Sequence, residues 1–192
     1  THVRFKNRRR CADYVTAVTD NELAFLREDP EMADLFLAEA LDHLGTIESA
    51  LLALDERPGD VKLLNDIFHP FHTIKGNAGA LGVTSVLAVA HSVENLLDLA
   101  RSGRRTMGPA DVDVVLRAVD VLTSMIRDVG VRLAGQAGTD LAPVAQALIE
   151  SVDMLISGQA EAPGAPAGPA RVEGGAEMAG LSGRGGEIGG VK

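Results

Sequence analysis

Two short runs hold side chains whose types and spacing could do chemistry. They are His72-Thr73-Ile74-Lys75-Gly76-Asn77-Ala78-Gly79 and, nineteen residues after that histidine, His91-Ser92-Val93-Glu94. On an α-helix successive residues step by about 100°, so Leu63, Leu64, Ile67, Phe71, Ile74, Ala78 and Leu81 gather on one face. His72 points away from that face. Residues three and four apart are surface neighbours, which sets Lys75 and Gly76 beside the imidazole, one a cation and the other bare backbone. An exposed histidine in such company suits receiving a phosphoryl group from one protein and passing it to another, with Gly76 and Gly79 in support.

The elements that must position these residues follow from the numbering. Gly82 suits a left-handed helix cap and Thr84 an N-cap, so the two runs are expected on a helical hairpin that turns near residue 83. Positions equidistant from the turn of an antiparallel pair lie at equal height, and His72 and Glu94 are each eleven residues from it, Lys75 and His91 each eight. The second helix carries its core stripe on Val86, Val89, Ala90, Val93, Leu96, Leu97 and Ala100, which leaves Glu94 at the edge and His91 and Asp98 further out. Glu94 is thus expected to reach His72. A carboxylate that accepts from Nδ1–H fixes the tautomer and leaves Nε2 as the free lone pair, the nucleophile.

Taken with Ile67-Phe68-His69-Pro70-Phe71, Leu81-Gly82 and Ala90 to Asp98, these residues resemble the histidine phosphotransfer (HPt) domain, most closely that of the CheA-type chemotaxis kinases. The resemblance covers about Asp29 to Gly158. It implies that His72 is phosphorylated, that Glu94 and His91 support it by hydrogen bonds, and that Lys75 favours the charged phosphoryl group. It further implies a kinase catalytic domain as donor, with ATP and Mg²⁺ bound there rather than on this chain, and response-regulator receiver domains as acceptors. Asn77 departs from the small hydroxyl residue usual in the family, yet it is still short and polar.

Composition agrees. The chain has 192 residues, 46% hydrophobic but 3% aromatic, as suits a helical bundle built from Leu, Val and Ala. Cys11 is the single cysteine, so an internal disulfide is excluded and a reducing cytoplasmic setting is expected. No apolar run is long enough to span a bilayer, and no secretory signal pattern is visible. Five basic residues and no acid occupy the first ten positions, against a net charge of −9 for the whole chain. An acidic body argues against nucleic acid as the partner, and the basic start is read as a solvated segment.

The expected fold is all-α, an up-and-down four-helix bundle with a fifth, C-terminal helix alongside. Asp29-Pro30 opens a first helix on Ala33, Phe36, Leu37, Ala40, Leu44, Ile47, Leu51 and Leu54, which stops at Pro58-Gly59. Asp60 caps the His72 helix, Gly103 closes the third, and Gly108-Pro109 opens a fourth along Val112, Val115, Val119, Leu122, Ile126 and Val129. A fifth is expected from Asp140 to Ser157 on Leu141, Val144, Leu148, Val152 and Leu155. Residues 1–28 are an N-terminal extension, poorly ordered or partly helical, and 29–157 the bundle. Residues 158–192 hold 11 of the 21 glycines and are a linker or tail. The start at Thr1 and the tether-like tail suggest an N-terminal piece of a CheA-like kinase, a free-standing HPt protein being the alternative.

Other roles compete for these residues. His69 is a plain surface residue or a docking aid, Phe68 core rim or part of a docking patch, and Pro70 removes one backbone donor and should kink the helix near Asp66. A metal-binding bundle using Asp66-x-x-His69 with His91-x-x-Glu94 lacks the inward carboxylates such centres need. A silent interaction bundle is the third class. No Gly-rich phosphate loop follows a predicted strand, so the chain alone is not expected to act as a kinase.

Overall fold

A computed structural model of the chain describes residues 18–57 and 59–158. The described residues form six helices and no strand: α1 (Asp20–Glu28), α2 (Pro30–Glu56), α3 (Val61–Ala80), α4 (Thr84–Arg101), α5 (Pro109–Leu133) and α6 (Ala142–Ile156). Helices α2 to α5 each pack on the next, and α5 returns to α2, which closes the four-helix bundle. Helix α6 lies against α4 and α5, and α1 against α2 and α5.

The apolar stripes meet along the axis. Phe36, Leu44, Ile47 and Leu51 of α2 face Ile67, Phe71 and Ile74 of α3, Val89, Val93 and Leu96 of α4, and Val115, Leu122 and Ile126 of α5, all buried. Valine costs at most about 0.7 kcal/mol in helix propensity, whereas full burial of its side chain gains about 1.5 kcal/mol or more. Packing therefore decides α5.

Several ends follow the sequence. Asp29 accepts from Met32 N–H at 3.0 Å with Pro30 as the first helical residue, and Asp60 accepts from the N–H groups of Lys62 and Leu63. Gly82, with φ +74°, and Gly103, with φ +71°, take the left-handed conformation just past α3 and α4. Helix α3 continues unbroken through Pro70.

One expectation is sharpened and two need correction. Residues 20–28 of the expected extension form α1, begun by a capping box between Thr19 and Glu22, with Leu23 and Leu26 buried, so the folded unit starts before Asp29. Thr84 is the first residue of α4 and not its N-cap; that place falls to Val83, whose side chain cannot cap. The acceptor comes instead from α1: Glu22 Oε1 takes Thr84 Oγ1–H at 2.5 Å and Ser85 N–H at 3.0 Å. Helix α6 starts at Ala142 and turns Val144 outward at 53% exposure, burying Ala145, Leu148, Ile149, Val152 and Leu155. The expected stripe differs by one residue at its start because Val144 and Ala145 are both apolar. Residues 1–17 of the expected extension and 159–192 of the expected tail lie outside the described residues.

Candidate functional site

The α3–α4 hairpin places the site midway along the bundle. His72 Nδ1 lies 2.7 Å from Glu94 Oε1, and Lys75 Nζ forms an ion pair with Glu94 Oε2 at 2.6 Å. Both α3 side chains converge on one α4 carboxylate, which is buried at 8% exposure while the imidazole stays 58% exposed.

Burial by itself pushes the Glu94 carboxyl pKa up, and it is the largest single influence. The hydrogen bond from His72 and the ion pair with Lys75 together outweigh it, so the group sits below the usual glutamate range. An ionised carboxylate only accepts, so Nδ1 must carry the proton and Nε2 the lone pair. Lys75 thus sets the histidine tautomer indirectly, by keeping Glu94 charged.

His91 does not join this group. It is exposed and makes no hydrogen bond or ion pair among the described residues, although it lies at the height of Lys75. Equal height fixes one coordinate only; three residues before Glu94, His91 is rotated about 60° around α4, toward solvent. Gly76 is exposed, and a Cβ added there would meet nothing within 4 Å. At Gly79 an added Cβ would make ordinary contact with Leu87. Asn77 donates to Glu39 Oε2 of α2 at 3.4 Å.

Two further residues belong to the site: Phe68, expected as core rim or part of a docking patch, and Arg101, which was no candidate in the sequence. Phe68, buried, stacks on His72 with ring centroids 5.8 Å apart and planes 18° apart. The guanidinium carbon of Arg101 stands 3.8 Å from the centroid of the same ring, and Arg101 pairs with Asp98, which also holds Arg104. The signal was present: Phe68 is four residues before His72, and the equal-height rule sets it level with Asp98, three before Arg101. Asp66 pairs with Lys62 at 2.8 Å, and no three His, Cys, Asp or Glu side chains cluster for a metal among the described residues. None of the described helices is long and apolar enough to cross a membrane.

An antiparallel helical bundle presenting one exposed histidine backed by a buried carboxylate is the architecture of phosphotransfer modules. The family model of the Hpt domain matches residues 31–130, and the chain belongs to that family. Within it the chain is similar to the chemotaxis protein CheA of Rhizobium meliloti, 36% identical over 142 residues, and to that of Bacillus subtilis, 34% identical over 96. These alignments cover 71% and 50% of this chain but 18% and 14% of the relatives, so the chain spans under a fifth of their length. Among solved structures it is similar to the phosphorylated P1 domain of CheA3 in complex with CheY6 from R. sphaeroides. The TM-score is 0.58 at 26% identity, covering 68% of this chain and 98% of that one. The CheA phosphotransferase domain from Thermotoga maritima gives 0.50 at 32% identity, covering 52% and 95%. The chain is therefore an Hpt-family domain, similar in sequence and fold to the phosphotransfer domains of CheA proteins.

Proposed function

We propose that His72 is the phosphoryl carrier of this module. The observation that carries the reading is the 2.7 Å contact between Glu94 and Nδ1, which leaves Nε2 as the exposed nucleophile. Nε2 attacks the γ-phosphorus of ATP held with Mg²⁺ by a kinase catalytic domain. The N–P bond forms as the bond to the β–γ bridging oxygen breaks, and ADP leaves with that electron pair. No proton need depart: the ring keeps Nδ1–H and becomes positive, and Glu94 offsets that charge. A receiver aspartate then attacks the phosphorus, and the N–P pair returns to Nε2.

A relative named as a sensor histidine kinase, CheAY of Helicobacter pylori, supports a kinase domain as donor, and the solved complex with CheY6 supports a receiver as acceptor. The setting we propose is cytoplasmic, with no nucleic acid among the partners. Lys75 serves the resting state by holding Glu94 ionised and the charged state by standing near the phosphoryl group.

Incubation with a CheA-type kinase core, ATP and Mg²⁺ tests the assignment. Acid-labile, base-stable phosphate should appear on the wild-type chain, vanish in His72→Gln, and drain on addition of a receiver domain. Label retained in His72→Gln would move the acceptor to His69 or His91.

A further inference from the structure

A hydrogen bond at Nδ1 fixes the tautomer of an imidazole and one direction in its plane. With the ring also tethered at Cγ, coupled rotations about χ1 and χ2 can still rock its plane while that contact is kept, and each such tilt swings the Nε2 lone pair. In-line attack on phosphorus needs that lone pair aimed as well as present. The carboxylate alone does not supply the second constraint.

We infer that Phe68 and Arg101 are positioning residues that set the plane of the His72 ring. The inference rests on His72 being the phosphoryl carrier. Phe68 is buried, so its ring has little freedom, and it lies within 18° of parallel to the imidazole at a centroid separation of 5.8 Å, an offset stack. His69 meets the same ring edge-on at 79° and 5.9 Å. Arg101, 3.8 Å from the ring centroid, holds the face of Phe68 as a cation–π partner and is itself held by Asp98 at 3.4 Å. A chain of contacts thus runs from Asp98 and Arg101 on α4 through Phe68 to His72 on α3. Glu94 and Phe68 restrain the imidazole in complementary ways, one within its plane and the other normal to it. Neither Phe68 nor Arg101 donates or accepts a proton in the transfer.

The test compares wild type, Phe68→Leu, Phe68→Tyr and Arg101→Gln as substrates of a CheA-type kinase core, beside proton NMR of the His72 ring. Phe68→Leu keeps an apolar side chain but loses the plane. Its kcat for labelling should fall on the order of ten-fold with KM unchanged, and the His72 ring protons should lose the upfield shift that a stacked neighbour imposes. Phe68→Tyr should keep both. Arg101→Gln should show a smaller change in the same direction, and it decides the matter if Phe68→Leu does not fold. Unchanged kcat in folded variants overturns the inference, as does a fall in kcat without a change in ring shifts, or an equal fall in Leu and Tyr. If the wild type takes no label, or His72→Gln keeps it, the carrier assignment itself is lost. Labelled wild type with equal variants sinks the positioning role alone.

Discussion

At the scale of single residues, Glu94 holds the site together by serving two α3 side chains with its two oxygens. Glu94→Ala should slow labelling of His72 on the order of 100-fold, because the tautomer is no longer imposed; nitrogen NMR of the ring should show the Nδ1–H form losing population. The same carboxylate gives a pH signature. Its folded pKa is depressed, so its contribution to stability is complete above the unfolded value of about 4.3 and is lost as pH falls through the lower folded value. Urea melts between pH 3 and 6 should therefore show a shallower acid loss in Glu94→Gln than in wild type. Gly76 makes the opposite kind of prediction. Nothing in the described chain occupies the space above it, so Gly76→Ala should stabilise α3 by about 0.5–1 kcal/mol. The added methyl stands beside His72, and transfer to a receiver should slow more than chemical labelling by phosphoramidate. Equal slowing, or none, would remove the steric account of that glycine.

Among the helices, the joint made by Glu22 stands out. Its Oε2 accepts Thr19 N–H at 2.8 Å in the α1 capping box, while Oε1 caps the start of α4. One buried carboxylate therefore fastens the first helix to the hairpin that carries the site. Glu22→Ala should cost about 1–3 kcal/mol in a thermal or chemical melt, leaving Ser85 N–H without its partner. Labelling of the folded fraction should stay at the wild-type rate, since Glu22 touches neither His72 nor Glu94. The T-x-x-E spacing of Thr19 and Glu22 is a helix-start signal inside the segment expected only as a poorly ordered or partly helical extension, and its second use carries no signal at all. A cap supplied from 62 residues away leaves no local mark in the sequence.

In the molecule as a whole, α6 is held to the bundle by charge as well as by its apolar stripe. Arg105, in the α4–α5 connection, pairs with the buried Asp111 at 2.7 Å and donates to the Leu155 carbonyl near the end of α6. Arg105→Ala would leave Asp111 buried without its cation and should cost about 2 kcal/mol or more, with faster amide exchange concentrated in α6. A second lock closes the α5–α6 turn. Asp128 accepts from Arg132 and from Thr139 N–H, both at 2.6 Å, and a Cβ at Gly138 would fall 2.1 Å from Arg132 Nε. Gly138→Ala must displace that guanidinium and should destabilise the turn while His72 remains labelled at the usual rate.

The all-α class, the hairpin about residue 83, the height match of His72 with Glu94 and the core stripes of α2 to α5 were determined by the sequence itself. They depend on periodicities of one helix or one tight pair, and such patterns are written in residue spacing. What only the tertiary structure decided is azimuth and reach across helices. Lys75 stretches to Glu94 while His91, at the same height, faces solvent. Val144 faces outward although its neighbours are apolar, Glu22 caps a helix that is not its own, and Phe68 lies between the charged edge of α4 and the imidazole. Each of these depends on how one helix is rotated against another, and that rotation is set by the packing of the whole core rather than by any local run of residues.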